Sequence, residues 1–180
     1  MIIEIIGKIL YHLDDVKYRF INKYKLSKCK THGTNCYLEG ESHITAENVS
    51  LGNNVYIGSG ATLLSSKAEI RIGSNVMFGP NVTIITGNHR IDVVGKNMID
   101  VKEKRPTDDE DVIIEDDVWI GAGATILKGV TVSKGCVIAA GTIVTRSTLP
   151  YSIVRQHIER VERYRFDPDT LEKHINLLKR

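Results

Sequence analysis

Residues 111–145 read DVIIEDDVWIGAGATILKGVTVSKGCVIAAGTIVT. An aliphatic residue returns at every sixth position of this stretch: Ile114, Ile120, Ile126, Val132, Ile138 and Val144. Two places before each stands a second, often smaller residue: Val112, Val118, Ala124, Val130, Cys136 and Thr142. A helix repeats its apolar face at three and four and a half-buried strand at two, so neither explains a period of six. A fixed period held over many turns marks a repeat architecture. The physical solution is a parallel β-helix: each hexapeptide supplies one flat strand and one corner, three make a coil, and stacked coils bury the aliphatic column. Corners call for backbone with positive φ, and Gly73, Asn75, Asp117, Gly121, Gly123 and Gly135 stand where they should fall. A β-sandwich would place its turns irregularly, about 8–12 residues apart, whereas here the register never slips.

Upstream the same period begins weakly near Cys36, with Leu38 and Ile44, and firms at Leu51, Ile57 and Leu63. It slips by three over Ser65–Glu69, where a bulged corner or small loop is expected, and resumes at Ile72, Phe78 and Ile84. After Ile85 it breaks: GNHRIDVVGKNMIDVKEKRPTDDED has no period and many charges. A long loop thrust from a regular scaffold, here about 87–111, is more often functional than accidental. His89 sits where the rigid strand gives way to that loop.

Residues 2 to about 26 read as a helix, with Ile2, Ile6, Ile9, Leu13, Val16, Phe20 and Tyr24 on one stripe. Its plainest role is to cap the open end of the solenoid, which would otherwise expose strand edges. The alternative is an amphipathic helix on an anionic membrane surface, since Lys17, Arg19, Lys23, Lys25, Lys28 and Lys30 crowd its far end. Glu4 and Lys8 interrupt the apolar run and argue against a signal peptide or a membrane span. Near the other end, Asp167-Pro168-Asp169 is a helix start, followed by the apolar face Leu171, Ile175 and Leu178 and the basic pair Lys179-Arg180. This helix is expected to pack on the solenoid or on a neighbouring subunit. The organisation is therefore an N-terminal helical segment (1–30), a β-helix domain (31–154) and a C-terminal tail with a helix (155–180).

The 180 residues carry a net charge of +2 and few aromatics, which gives no electrostatic or stacking case for nucleic acid. Cys29, Cys36 and Cys136 are odd in number and form no C-x-x-C pair, which suits reduced thiols in a cytoplasm. Cys136 falls on the small inward position and reads as packing.

IGSNVMFGPNVTIITGNH, then a loop, then VIIEDDVWIGAGATILKGVTVSKGCVIAAGTIVT, resembles the hexapeptide-repeat acetyltransferases of left-handed β-helix fold. The branch it is most similar to holds the maltose, galactoside and polysaccharide O-acetyltransferases, with the streptogramin-type enzymes nearby, and the resemblance covers roughly residues 50–154. It implies the left-handed hand of the coil, acetyl-CoA as co-substrate with no metal, and a homotrimer with the cofactor in the cleft between adjacent solenoids. It implies that His89 is the catalytic base. That agrees with the chemistry: a hydroxyl attacks a thioester well only as a base takes its proton, and an imidazole suits that task near neutral pH. His12, His32, His43, His157 and His174 match no site pattern.

The resemblance also implies cofactor contacts. Trp119 matches an aromatic beside the cleft; the plain alternative is a surface aromatic. Ala122 stands where relatives often carry a serine, leaving only its backbone N–H to polarise a carbonyl or hold the pantetheine. Ala140 and Gly141 match small residues along the pantetheine, Thr145 and Arg146 the nucleotide end, and Arg160 and Arg163 basic positions toward the phosphates. Ser59 and Asn88 fall on the acceptor side. One departure is plain: Arg155-Gln156-His157-Ile158 replaces the small–Gly–x–Pro turn after the last coil.

The leading expectation is thus an acetyl-CoA-dependent acetyltransferase acting on a hydroxyl of a sugar or glycan, as in polysaccharide biosynthesis. N-acetylation of an amino sugar and O-acetylation of an antibiotic use the same base and stay open. A non-enzymatic solenoid scaffold would need neither the loop at His89 nor the tryptophan. A metal-dependent hydratase on this fold would need converging histidines, and only one is suitably placed. The location expected is cytoplasmic, with peripheral membrane contact through the N-terminal helix as a variant.

Overall fold

The computed structural model describes residues 2–155 and 166–178. The period of six becomes three parallel sheets that form the faces of a prism. The first holds β1 (Thr31–His32), β4 (Val49–Leu51), β7 (Ile70–Ile72), β10 (Val112–Ile114) and β13 (Thr131–Val132). The second holds β2 (Tyr37–Leu38), β5 (Val55–Ile57), β8 (Val76–Phe78), β11 (Trp119–Ile120), β14 (Val137–Ile138) and β16 (Ile153–Val154). The third holds β3 (His43–Ile44), β6 (Thr62–Leu64), β9 (Thr83–Ile85), β12 (Thr125–Ile126) and β15 (Ile143–Val144). Equivalent repeat positions stack in register: Ile120 pairs with Phe78 below and Ile138 above, and Ile126 with Ile84 and Val144.

Both columns read from the sequence point inward. Ile114, Ile120, Ile126, Val132 and Ile138 are fully buried, as are Ala124 and Cys136 in the smaller column. Removing each large side chain from water contributes about 1.5–3 kcal/mol, so the stacked column is the main source of cohesion. Cys136 packs there, with its thiol donating to the Leu149 carbonyl at 2.8 Å. All three cysteines are free.

The corners use two different devices. Asn75, Asp117, Gly123 and Gly135 have positive φ, as expected, and Asn35 and Asn54 join them. The Asn54 amide accepts from Asn35 and donates to Asn75, each at 3.0 Å, so one corner carries a side-chain ladder. Gly73 and Gly121 correct the expectation, because neither lies in the left-handed region. They are small because the next coil presses on them: a Cβ on Gly121 would stand 2.6 Å from the Ala140 nitrogen, and one on Gly73 2.9 Å from the Asp116 nitrogen.

The slip of the repeat is the connection between β6 and β7, where Ala68 is buried. Two helices flank the prism, α1 (Ile2–Lys28) and α2 (Pro168–Leu178). Asp167 caps α2 as its sequence predicts, accepting from the Thr170 N–H at 3.0 Å. Its docking differs from the expectation, because it lies on the extruded loop of its own chain. The Gly95 N–H donates to His174 Nδ1 at 3.2 Å, and the His174 ring lies 4.9 Å from that of Phe166.

α1 covers the open end of the first coil, as the capping reading expects, but not with its apolar stripe. Its C-terminal half lies on the first coil, where Leu26 packs against the core and the Asn22 amide donates to the Leu38 and Gly40 carbonyls at 3.1 and 2.7 Å. The Lys25 ammonium donates to the Ser42 carbonyl at 2.5 Å. The apolar stripe that was expected to make this contact is exposed instead.

Candidate active site

The chain leaves β9 through buried Thr86, and the loop that follows is closed at its neck by backbone pairing. The Glu110 N–H donates to the Thr86 carbonyl at 2.8 Å, and the Asn88 N–H to the Asp108 carbonyl at 2.9 Å. Gly87 and Asp109 face each other in a short antiparallel bridge. His89 is the next residue, so its backbone is anchored to a rigid strand while its side chain is exposed.

Charged groups lock this neck. The Lys104 ammonium sits 2.6 and 2.9 Å from the Asp109 carboxylate oxygens, and the Ser66 hydroxyl donates to the same carboxylate at 3.0 Å. Burial alone would push the Asp109 carboxyl up, but the Lys104 and Ser66 bonds outweigh it and hold the group below the usual carboxylate range. Asp108 accepts from the Arg105 N–H at 2.6 Å, and the Arg105 guanidinium reaches Asp92 at 3.0 Å.

His89 faces two depressions. One is shallow, between the solenoid wall at Leu64 and Ile85 and the loop at Lys104. The other, about 630 Å³, is walled by Asn97, Met98 and Ile99 of the loop and by His174 and Leu178 of α2. Because a backbone N–H only donates, His174 Nδ1 is the acceptor from Gly95 and its ring proton sits on Nε2. No periodicity in the chain pointed to α2 as one wall of this groove.

The remaining candidate positions fall on two edges of the third sheet. Ser59, Ala122 and Ala140 stack in one corner column between the second and third sheets, with Pro80 between the first two. The Asn81 N–H donates to the Ser59 carbonyl at 2.8 Å, the Gly123 N–H to Pro80 at 2.9 Å and the Gly141 N–H to Ala122 at 2.8 Å. The carbonyls of Ser59, Pro80 and Ala122 are thus engaged between coils, each by the N–H that follows the next residue of the column. Ala122, Ala140 and Gly141 face outward, and a Cβ on Gly123 or Gly141 would meet nothing within 4 Å, so the corner opens onto free space. Trp119 stands beside it on the outer face of the second sheet, 51% exposed, between Met77 and Val137.

Thr145 and Arg146 follow β15 at the opposite edge of the third sheet, the edge from which the loop with Asn88 and His89 departs. The structure therefore brings together Ser59, Trp119, Ala122, Ala140 and Gly141 in one group. Asn88, His89, Thr145 and Arg146 make up a second, and a sheet face separates the two. Arg160 and Arg163 lie outside the described residues, as do Gln156, His157 and Ile158. Among the described residues no cluster of three His, Cys, Asp or Glu side chains could hold a metal ion.

Comparison with known proteins agrees with the fold. A family model described as the hexapeptide repeat of succinyl-transferase matches residues 111–146. The galactoside O-acetyltransferase of Lactococcus lactis is 35% identical over 97 residues, which span 53% of this chain and 44% of that enzyme. The chain thus covers less than half the length of this relative. A hexapeptide-repeat acetyltransferase from Vibrio cholerae superposes with a TM-score of 0.68 at 25% identity, covering 86% of this chain and 83% of that one. The structure of that Vibrio enzyme complexed with acetyl coenzyme A superposes with a TM-score of 0.67 at 24% identity, over 89% and 85% of the two chains. The chain resembles the hexapeptide-repeat acetyltransferases, and its fold is their left-handed parallel β-helix.

Proposed function

We propose that this protein transfers an acetyl group from acetyl-CoA to a hydroxyl of a sugar or glycan, with His89 as general base. The observation that carries the reading is the placement of His89: fixed by a backbone-paired neck to a regular strand, yet exposed toward a groove that can receive an acceptor. The name of the Lactococcus relative supports a sugar hydroxyl as the acceptor, and the complex formed by the Vibrio enzyme supports acetyl-CoA as the donor.

The small outward residues at the second-to-third-sheet corner suit a pantetheine arm, because Ala122, Ala140 and Gly141 leave the space beside the coil empty. Acetyl-CoA supplies an activated carbonyl and a thiolate leaving group. The imidazole of His89 removes the acceptor proton as the oxygen attacks that carbonyl, and returns the proton to the sulfur as the C–S bond breaks. Proton and acetyl group both balance, and no metal enters.

Because His89 and the open corner lie on different edges of one sheet, a single chain offers each half of the site separately. A cyclic homotrimer would set the corner of one copy against the His89 edge of the next and enclose the thioester. Arg146, at the His89 edge, would then face the nucleotide end from the neighbouring copy.

The test is His89→Ala, followed by thiol release from acetyl-CoA with a panel of sugars and by calorimetry of CoA binding. We expect kcat to fall by about 10²–10⁴-fold with CoA binding retained. The rising limb of the parental pH–rate profile should vanish in the variant. Turnover within a few-fold of the parent would refute the role of base, and loss of CoA binding would make His89 a cofactor contact.

A further inference from the structure

The strongest unexplained feature outside the site is the outer face of α1. Taking Asn22 as the contact point with the solenoid, ordinary helical geometry places Glu4, Tyr11, Asp15 and Tyr18 within about 40° of it. Tyr11, Asp15, Tyr18 and Asn22 do line the space between α1 and the first coil. The same geometry places Ile2, Ile6, Ile9, Leu13, Phe20 and Tyr24 about 140–180° away, facing outward. These residues are 50–70% exposed, and the others of residues 2–15 are exposed as well, so the N-terminal half of the helix stands largely clear of the solenoid. Where the helix does touch its own protein, through Asn22, Lys25 and Leu26, the stripe faces away from the contact.

Glu4, Asp14 and Asp15 lie within about 80° of Asn22 and Lys8, Arg19 and Lys25 within about 60°, where Lys8 pairs with Glu4 and Arg19 with Asp15. Lys17, Lys23 and Lys28 lie about 100–140° from Asn22, along the border of the apolar stripe. The helix carries six basic and three acidic residues. Toward the N-terminus Ile3, Ile5 and Leu10 widen the stripe to an arc of about 160°. That is broader than the narrow seam of a paired coil, and Lys23 falls where the next seam residue would stand.

We propose that α1 lies flat on an anionic lipid surface, its isoleucine face sunk among the acyl chains and Lys17, Lys23 and Lys28 at headgroup level. Charge complementarity selects this occupant: the three acids lie off the stripe and are each paired with a basic residue of the helix, which leaves a net positive charge along it. No described helix is long and apolar enough to cross a membrane, which fits a helix lying in the interface. The contact is independent of acetyl transfer.

The experiment is co-sedimentation of the full chain with vesicles of phosphatidylcholine alone or mixed in equal parts with phosphatidylglycerol, alongside light scattering without lipid. The parent is expected to pellet with the mixed vesicles and to be released by salt. Ile9→Glu with Leu13→Glu should weaken vesicle binding by about 100-fold with an unchanged melting temperature and particle mass. Lys17→Gln with Lys23→Gln should abolish the preference for anionic vesicles while the stripe is intact. Equal pelleting of the parent and the Glu variant would overturn the proposal. So would failure of the parent to bind vesicles, and a fall in particle mass in the Glu variant would then make the stripe a contact between copies.

Discussion

Residues 112–144 bury an aliphatic side chain at every sixth position, whereas residues 87–111, which leave the solenoid just before them, bury only Val101 and Asp108. The coils are held by area removed from water and by strand pairing between successive turns. The loop is held by its paired neck and by charged contacts, chiefly Lys104 to Asp109 and Arg105 to Asp92. Cohesion of the first kind is repeated and cooperative along the stack. Cohesion of the second kind is local, and a few groups carry it. The difference suits a rigid wall for a common donor and an adjustable rim for an acceptor.

The comparison breaks most completely at the column. Ile120→Asp places a carboxylate at a fully buried position with no partner, and no soluble folded protein should be recovered. A variant that purified with unchanged melting would show that burial of this column does not hold the coils.

The two glycine devices sharpen it next. Gly121→Ala drives a Cβ against the backbone of the next coil and should cost about 3 kcal/mol in urea unfolding. Gly123→Ala meets no atom and carries only the strain of its positive φ, so about 1 kcal/mol is expected. Equal losses would mean that inter-coil contact is not what fixes Gly121.

The loop should respond with little change in global stability. Lys104→Met strands the Asp109 carboxylate at the neck, and the expected result is faster amide exchange at Asn88 and Glu110 with coil exchange unaltered. The pH dependence follows from the depressed Asp109 carboxyl. A carboxyl held low when folded contributes stability above its ordinary value and loses it as pH falls toward its folded value. In the parent the neck should therefore loosen to proteolysis below about pH 4, before the coils melt. Simultaneous loss of both would show that the loop is not a separate unit.

This contrast also explains what was legible in the sequence. The coils could be read because inward positions recur at fixed spacing, down to Cys136 and Thr142. Gly73 and Gly121 were misread because small size for positive φ and small size for close approach look the same in one dimension. The stripe of α1 was visible, but amphipathicity does not say which side the protein takes, and Asn22 alone gave no warning that the polar side would. The docking of α2 on the loop depends on Gly95 meeting His174, two residues with no periodic relation. His89 stood out from its exit position together with a family resemblance, and its distance from the Ala122 corner could only emerge in three dimensions.

The central claim is that His89 of one copy works with the Ala122 corner of another, and mixing two crippled proteins tests it directly. His89→Ala lacks the base, and Ala122→Trp fills the outward corner beside the proposed pantetheine path. Each alone should be nearly inactive in thiol release from acetyl-CoA with a working sugar acceptor. Unfolded together and refolded in equal amounts, they should recover roughly a quarter of the parental rate, from interfaces that join an intact His89 edge to an intact corner. Absence of recovery, with both variants shown to assemble into the same mixed oligomers, would contradict a site shared between copies.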